Sequence, residues 1–313
     1  MAGEFWGRGV WGRAMRLVPL AAVATVLSGC GRIELLEPKG DIGIQERSLI
    51  LIALGVMSFF VLVVMVLTVV FAWRYRESNT KATYAPKWSH SNAIEAVVLS
   101  IPCVVIIFLS ALIWKTTHTL DPYRPLESRV KPVRVQVVAM NWKWLFIYPD
   151  YGVATVNKLV VPVNTPINFE LTADTIMNSF FIPQLGSQIY AMAGMKTQLH
   201  LIANTPGTYA GLSSGFSGPG FSDMHFDAVA VPTDRFGAWV QQAHSTSNVL
   251  DPAAYAVLAR PNVVVQPVTY GHVAPGIFDG VVDRYMSGRM SQSALINSAP
   301  RCNTQGLATR SVN

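Results

Sequence analysis

The chain has 313 residues, of which 51% are hydrophobic and 13% charged, and its mean hydropathy is +0.34. An ordinary soluble domain carries about 25% charged residues, so the composition points to a membrane protein and excludes disorder over most of the chain, since disorder needs low hydrophobicity and high charge. Three scattered cysteines (Cys30, Cys103, Cys302) exclude a disulfide scaffold. The net charge of +6 comes from basic residues spread too thinly for a nucleic-acid-binding stripe, so no nucleic acid partner is expected.

Arg8, Arg13 and Arg16 precede an uncharged stretch from Leu17 to Leu27, the flank and length of a signal-peptide apolar core. Leu27-Ser28-Gly29-Cys30 follows and is similar to the bacterial lipobox, where a peptidase cuts before a cysteine lipidated on its sulfur. Small residues suit a protease cleft, and the thiol is the good nucleophile for acylation. The resemblance implies that residues 1–29 are a lipoprotein signal peptide and that Cys30 carries the lipid, palmitate included, on the outer face of a bacterial inner membrane. A short first membrane helix with a chance cysteine is the plainer alternative.

Two charge-free apolar runs follow, Ser48 to Trp73 and Ala96 to Trp114. Roughly 20 helical residues cross about 30 Å of hydrocarbon, so spans are expected at about 48–73 and 95–114. Trp73 and Trp114 stand at their ends, where aromatic belts occur, and Pro102 is tolerable where neighbouring helices re-satisfy the freed carbonyl. The intervening loop carries Arg74, Arg76, Lys81 and Lys87 against Glu77 and the border residue Glu95. The positive-inside rule places that loop in the cytoplasm and both ends of the mature chain outside, which agrees with the lipobox.

Beyond Thr116 the pattern becomes one of short Val-rich segments, at 133–139, 158–163, 167–172, 197–202 and 226–231. Turn chemistry such as Asn164-Thr165-Pro166 and Asn204-Thr205-Pro206-Gly207 separates them. Short strands at close spacing with Gly/Pro punctuation predict an all-β sandwich or barrel. After Pro232 short helical segments are expected at 235–240, 252–258 and 277–286, followed by a polar, small-residue tail expected to be disordered.

Two membrane helices, then a β-sandwich opening on Met140-Asn141-Trp142-Lys143-Trp144-Leu145-Phe146-Ile147-Tyr148-Pro149, is an arrangement that resembles subunit II of the haem-copper respiratory oxidases. The resemblance covers nearly all of the mature chain. It implies a membrane protein with a two-helix transmembrane hairpin, an all-β cupredoxin-like Greek-key sandwich and a short helical C-terminal extension. The implied division is 30–120 for the lipidated N-terminus and hairpin, 121–232 for the cupredoxin-like periplasmic domain, 233–288 for an aromatic-rich extension and 289–313 for the tail.

In the cytochrome c oxidases of this family the sandwich holds a binuclear copper centre, on one His of an earlier loop and a Cys-x-Glu-x-Cys-x3-His-x2-Met loop. Two bridging thiolates and two imidazoles suit soft copper. In the corresponding loops Asn178 stands at the first His position, Ser213 and Ser217 at the cysteines, Gly215 at the Glu whose carbonyl ligates, and Phe221 at the second His; Met224 alone is retained. A lone thioether does not hold a copper pair, so no metal is expected in this chain. His225 reads as an ordinary strand or loop histidine. The segment from Met177 through Gln184-Leu185-Gly186 to Met195, with Ser217-Gly218-Pro219-Gly220-Phe221-Ser222, is similar to the cytochrome o-type ubiquinol oxidases, whose subunit II keeps the shell without the copper.

The resemblance also implies that Glu95 lies at the mouth of a proton-input channel into subunit I; the plainer reading is a solvated carboxylate that suits a helix N-terminus. Trp142 and Trp144 read as hydrophobic contacts with subunit I, because an electron-input route has no starting point without copper. Cys103 reads as a small hydrophobe in a span, Met192 and Met195 as packing or subunit contact, and His118, Asp121 and Arg124 as interfacial. The function implied is that of the metal-free subunit II of a proton-pumping ubiquinol oxidase, with the catalytic site, haems and one copper in subunit I, ubiquinol as substrate, and no catalytic residue here. Its partners would be subunit I, the other oxidase subunits and the lipid bilayer, and not cytochrome c. The alternatives are a free-standing lipoprotein acting as a scaffold or assembly factor, and a copper electron-transfer subunit of a cytochrome c oxidase.

Overall fold

The computed structural model describes residues 33–83, 90–262 and 266–286. The signal segment, Cys30, Lys87, Cys302 and the tail lie outside the described residues. Within residues 33–37, Glu34–Leu36 forms a single 3-10 turn.

Two long helices come first, α1 over Asp41–Arg74 and α2 over Asn92–Thr119. At about 1.5 Å per residue they are about 51 and 42 Å long, more than the roughly 30 Å of a hydrocarbon core. Over the charge-free runs 48–73 and 96–114 their side chains are apolar nearly all round and largely uncovered by the rest of the chain, with Leu54, Ile107 and Trp114 exposed by 59%, 70% and 73%. That surface is compatible only with lipid or another apolar chain. Three hydroxyls bond back within the helices: Ser48 Oγ donates to Ile44 O (3.0 Å), Thr68 Oγ1 to Val64 O (2.7 Å) and Thr116 Oγ1 to Leu112 O (2.9 Å).

The sandwich begins with β1 (Val133–Met140), β2 (Lys143–Tyr148), β3 (Val153–Val156), β4 (Lys158–Pro162) and β5 (Pro166–Ala173). It continues with β6 (Asn178–Ile182), β7 (Gly186–Ala191), β8 (Thr197–Ile202), β9 (Gly207–Ser213) and β10 (His225–Val231). The extension then supplies α3 (Thr233–His244), β11 (Val249–Leu250), α4 (Pro252–Leu258), β12 (Val268–Tyr270), β13 (His272–Val273) and α5 (Ile277–Met286). One sheet has the order β12-β3-β2-β1-β5-β8 and the other β4-β10-β9-β6-β7. Two parallel pairings, β1 with β5 and β4 with β10, tie together strands distant in sequence and give the sandwich its crossed connections.

Between the sheets lie Val135, Val137 and Ala139 of β1, Trp144, Phe146 and Tyr148 of β2 and Phe169 of β5, with Phe180 and Phe226 of the second sheet opposite. The rings of Phe180 and Phe226 stack at 5.2 Å. Tyr148 bridges the sheets: its hydroxyl donates to Val160 O (2.9 Å) and accepts from Val160 N (2.8 Å), and burial pushes the phenol far above its ordinary pKa. The other face of β1 and β2, with Val138, Met140, Leu145 and Ile147, is covered by Leu250, Tyr255, Phe278 and Val281 of the extension. β2, β3 and the second half of β1 are thus buried on both faces, which is why β2 is nearly continuous in apolar residues rather than alternating.

The start of α1 is seated on the sandwich. Lys39 N donates to Gln184 O (2.7 Å), Gly43 N to Leu185 O (3.1 Å) and Asn204 N to Lys39 O (2.8 Å). The side chain of Asn204 reaches Asp41 Oδ1 (2.6 Å), Ile42 is buried, and Ser187 Oγ donates to Glu46 Oε1 (2.5 Å). Gly40 permits this approach, for a Cβ there would stand 2.4 Å from Ile202 O.

Candidate functional site: the ligand-loop cluster

The positions matched to copper ligands converge. Asn178 opens β6, Ser213 closes β9, and the loop from Ser214 returns through a 3-10 turn at Phe221–Asp223 to Met224 and β10. The β6–β9 pairing, with Phe180 opposite Ser213, brings the two loops side by side. Asn178, Ser213, Ser217 and Met224 are 2%, 4%, 6% and 1% exposed.

Within the cluster each polar group finds a partner in the protein. Ser213 Oγ lies 3.1 Å from Asn178 Oδ1 and 3.3 Å from Gly215 O, so its single proton serves two acceptors. Asn178 Nδ2 donates to Ile176 O (2.9 Å), Ser213 N to Met224 O (3.3 Å), and Ser217 Oγ approaches Met224 Sδ at 4.0 Å. The Ser214 hydroxyl stands 2.7 Å from both Ser179 Oγ and Gln188 Oε1, a second layer that the sequence reading missed because neither residue type signals a contact of this kind. Phe221 is partly buried and set 5.6 Å from the ring of Phe216, which is itself 79% exposed.

Chemically the cluster offers hydroxyls, one amide and one thioether. Soft copper selects thiolate, thioether and imidazole ligands, and only the thioether is here. A dinuclear copper centre does not fit this donor set. What the geometry does instead is close the end of the sandwich with neutral hydrogen bonds among Asn178, Ser213, Gly215 and Ile176.

Trp142 keeps the loop in place from the β1–β2 turn. Its backbone is left-handed (φ 61°), a conformation costly for a bulky residue, and its indole Nε1 donates to Ser217 O (3.1 Å). The ring lies against Gly220, where a Cβ would meet Trp142 Cδ2 at 2.4 Å. The expectation that Trp144 is a contact for subunit I is corrected. Trp144 is fully buried between the sheets, edge-on to Phe180 at 5.3 Å and Phe226 at 5.8 Å, and no partner subunit can reach it. Trp142 is half-buried and belongs to the loop support.

A second polar cluster ties the extension to the same loops. Asp174 directly follows β5; its N–H donates to Ala139 O (2.8 Å), and its carboxylate, 4% exposed, takes Arg284 Nη1 of α5 at 2.8 Å. Tyr285 Oη donates to Asp174 O, and Arg284 lies 5.8 Å over the ring of Tyr255. Burial pushes the Asp174 carboxyl above the usual carboxylate range, with the Arg284 guanidinium opposing that shift. Thr175 Oγ1 then donates to Asn141 Oδ1 (3.0 Å), which links this pair to the turn holding Trp142. Lys143, almost wholly buried, donates from Nζ to Arg260 O (2.9 Å) just past α4, and burial lowers its pKa.

Glu95 lies in the first turn of α2, where its Oε1 is 2.8 Å from Nδ1 of His90, and both side chains are more than half exposed. The sequence reading missed His90, five residues away and outside the helix. His225 is exposed at the start of β10, Met192 is half-buried, Met195 is 52% exposed, and Cys103 faces outward from α2. His118 Nδ1 contacts Trp114 O at 2.7 Å.

Residues 150–231 match the cytochrome c oxidase subunit II periplasmic domain family, and residues 244–289 the COX aromatic rich motif. The cytochrome bo(3) ubiquinol oxidase subunit 2 of Pseudomonas putida is 53% identical over 260 residues, covering 83% of this chain and 82% of that protein. The ubiquinol oxidase subunit 2 of Acetobacter aceti is 50% identical over 279 residues, covering 88% and 90%. Among solved structures, the periplasmic domain of subunit II of cytochrome oxidase of Bradyrhizobium japonicum is similar with TM-score 0.36 and 23% identity, over 38% of this chain and 98% of that one. With two apolar helices anchoring a cupredoxin-like sandwich, and relatives of this identity over four-fifths of their length, the chain belongs to the ubiquinol oxidase subunit 2 family of respiratory oxidase subunits.

Proposed function

We propose that this chain is the metal-free subunit II of a proton-pumping ubiquinol oxidase in a bacterial inner membrane. The ligand-loop cluster carries the reading: Asn178, Ser213 and Ser217 occupy the converged loops with neutral hydrogen bonds in place of soft ligands. A chain with that donor set holds no copper pair, so electrons enter the complex from quinol without passing through it. Catalysis then resides in subunit I, with its haems and a single copper. Its hairpin packs on subunit I, and its sandwich caps the periplasmic face.

Three further roles belong to this proposal. Cys30 carries the lipid after removal of residues 1–29. Cytochrome c is not a partner. Glu95, at the cytoplasmic start of α2 and hydrogen-bonded to His90, receives protons bound for subunit I. An ionisable pair at a span boundary is suited to that work, because it exchanges protons with water and stands where the bilayer begins.

The test is purification of the complex through a tag on this chain, followed by metal analysis and reconstitution into vesicles. The proposal expects a haem-bearing polytopic partner, one copper per complex, and acidification of the vesicle exterior or interior, according to orientation, when ubiquinol is supplied. Copper in excess of one per complex, or a preparation without haem, refutes it.

A further inference from the structure

A cavity of about 280 Å³ opens where the membrane helices meet the sandwich. Its polar lining is Gln45 of α1, Thr119 of α2, Asp121, Arg124 and Glu127 of the connector, Ser187 of β7 and His200 of β8. Nothing in the oxidase reading uses it.

Its depth in the bilayer follows from α2. The charge-free run from Ala96 to Trp114 has 19 residues, about 29 Å at 1.5 Å per residue, which matches the hydrocarbon core. Thr119 lies five residues further, about 7.5 Å beyond the core edge. The headgroup layer on each side is about 5–8 Å thick. The cavity therefore sits at the level of lipid headgroups, on the side of the sandwich. Leu120, Leu126 and Leu199 give it an apolar wall as well.

The charges select among headgroups. Arg124 presents a guanidinium, 53% exposed, whose Nη1 donates to His118 O at 3.5 Å and whose Nη2 stays 3.7 Å from Glu127 Oε1, two long contacts that leave donors for a phosphate. Against it stand the carboxylates of Asp121 and Glu127. His200 is 7% exposed, and its Nδ1 lies 2.9 Å from Pro122 O. A carbonyl only accepts, so Nδ1 carries the proton, and in the neutral ring Nε2 is an acceptor. The lining thus joins one cationic fork to several acceptors, with carboxylates in excess. An anionic headgroup meets net repulsion there. A quaternary ammonium has no N–H to donate, and the lining contains no Phe, Tyr or Trp to face it. A phosphate beside a primary ammonium satisfies both halves.

We propose that this cavity binds the headgroup of an aminophospholipid of the phosphatidylethanolamine type, with the phosphate on Arg124 and the ammonium among Asp121, Glu127 and His200. The lipid would brace the junction of α1, α2 and the connector, where the sandwich is hung from the membrane.

The test uses the complex purified through this chain and a phosphatidylethanolamine bearing a diazirine near the glycerol end of one acyl chain. After photolysis and digestion, label is expected on peptides spanning 42–45 and 119–126. Excess unlabelled phosphatidylethanolamine should suppress it at least about tenfold, while phosphatidylcholine and phosphatidylglycerol suppress it less than about twofold. Loss of a charge-assisted bond is worth about a factor of ten or more, so Arg124→Gln should cut labelling by about tenfold and Arg124→Lys should restore most of it. Glu127→Gln, at an exposed carboxylate, is a second variant whose competition by phosphatidylglycerol should rise. Label confined to other segments overturns the proposal. So does equal competition by the three lipids, displacement by ubiquinol but not by phosphatidylethanolamine, or labelling indifferent to both Arg124→Gln and Glu127→Gln.

Discussion

Replacing Arg284 by Gln removes the only cation facing the Asp174 carboxylate among the described residues, and the consequence depends on pH in a way a packing defect does not. Asp174 is 4% exposed and Arg284 38%. Breaking a fully buried pair costs about 3–5 kcal/mol. Because the Arg284 side chain is more than a third open to water, we scale that to about 2 kcal/mol. The folded Asp174 carboxyl is already raised above its ordinary range, by burial. A raised folded value means that its contribution to stability is fully present below the unfolded pKa and is lost as pH rises through the folded one. Arg284 limits that loss. Without it the carboxyl rises further, so the penalty is small near pH 4, where the folded carboxyl is mostly in its acid form with or without Arg284, and complete near pH 8. Hydrogen exchange on the purified complex, corrected for intrinsic rates, reads it directly: segments 174–182 and 277–286 should open about 30-fold more often at pH 8 and less than about threefold more often at pH 4. Combining Arg284→Gln with Asp174→Asn should recover protection, because a neutral amide needs no counter-charge. Equal loss at both pH values, or no recovery in the double variant, would refute the reasoning.

Other expectations follow from the same contacts. Gly220→Ala should displace the Trp142 indole, since its Cβ would stand 2.4 Å from Trp142 Cδ2; a destabilisation of about 1–3 kcal/mol and faster exchange at 217–220 are expected, and an unchanged exchange pattern contradicts the contact. Lys143→Met exchanges a buried ammonium with one carbonyl partner for an apolar chain of similar length. Its effect on stability should stay within about 1 kcal/mol, whereas a loss above about 2 kcal/mol would mean that the Lys143–Arg260 bond holds the extension. Converting Asn178 and Phe221 to His, and Ser213 and Ser217 to Cys, places thiolates and imidazoles at converged positions; the variant should take up copper with strong visible absorption, and failure to bind copper in a folded variant would show that the loops no longer keep ligand geometry.

The spans were legible because lipid allows no charge over about 20 residues, and runs of that length occur by chance too rarely to mislead. The strand at 197–202 was equally plain, since β8 alternates buried and exposed residues at its start. The aromatic run at 141–149 was legible as a motif and misread as a surface. Burial on both faces of β2 removes the alternation that tells a core tryptophan from an interfacial one, and the turn at Trp142 takes that residue out of the strand altogether. The ligand positions could be placed by their order along the chain, while their mutual hydrogen bonds could not, because a serine or asparagine carries no signal of its partner. Asp174 with Arg284, and Glu95 with His90, went unread for opposite reasons: the first pair is separated by 110 residues, and the second lies across a helix start where spacing rules do not apply.

The central claim is that electrons reach this oxidase from quinol without a copper pair in this chain. Oxygen uptake by the complex, purified through a tag on this chain and supplied separately with ubiquinol and with reduced cytochrome c, tests it most directly. The account predicts uptake with ubiquinol and none above background with cytochrome c. Sustained uptake with cytochrome c would contradict it, for the cluster of Asn178, Ser213, Ser217 and Met224 would then lie on an electron path that its donor atoms do not support.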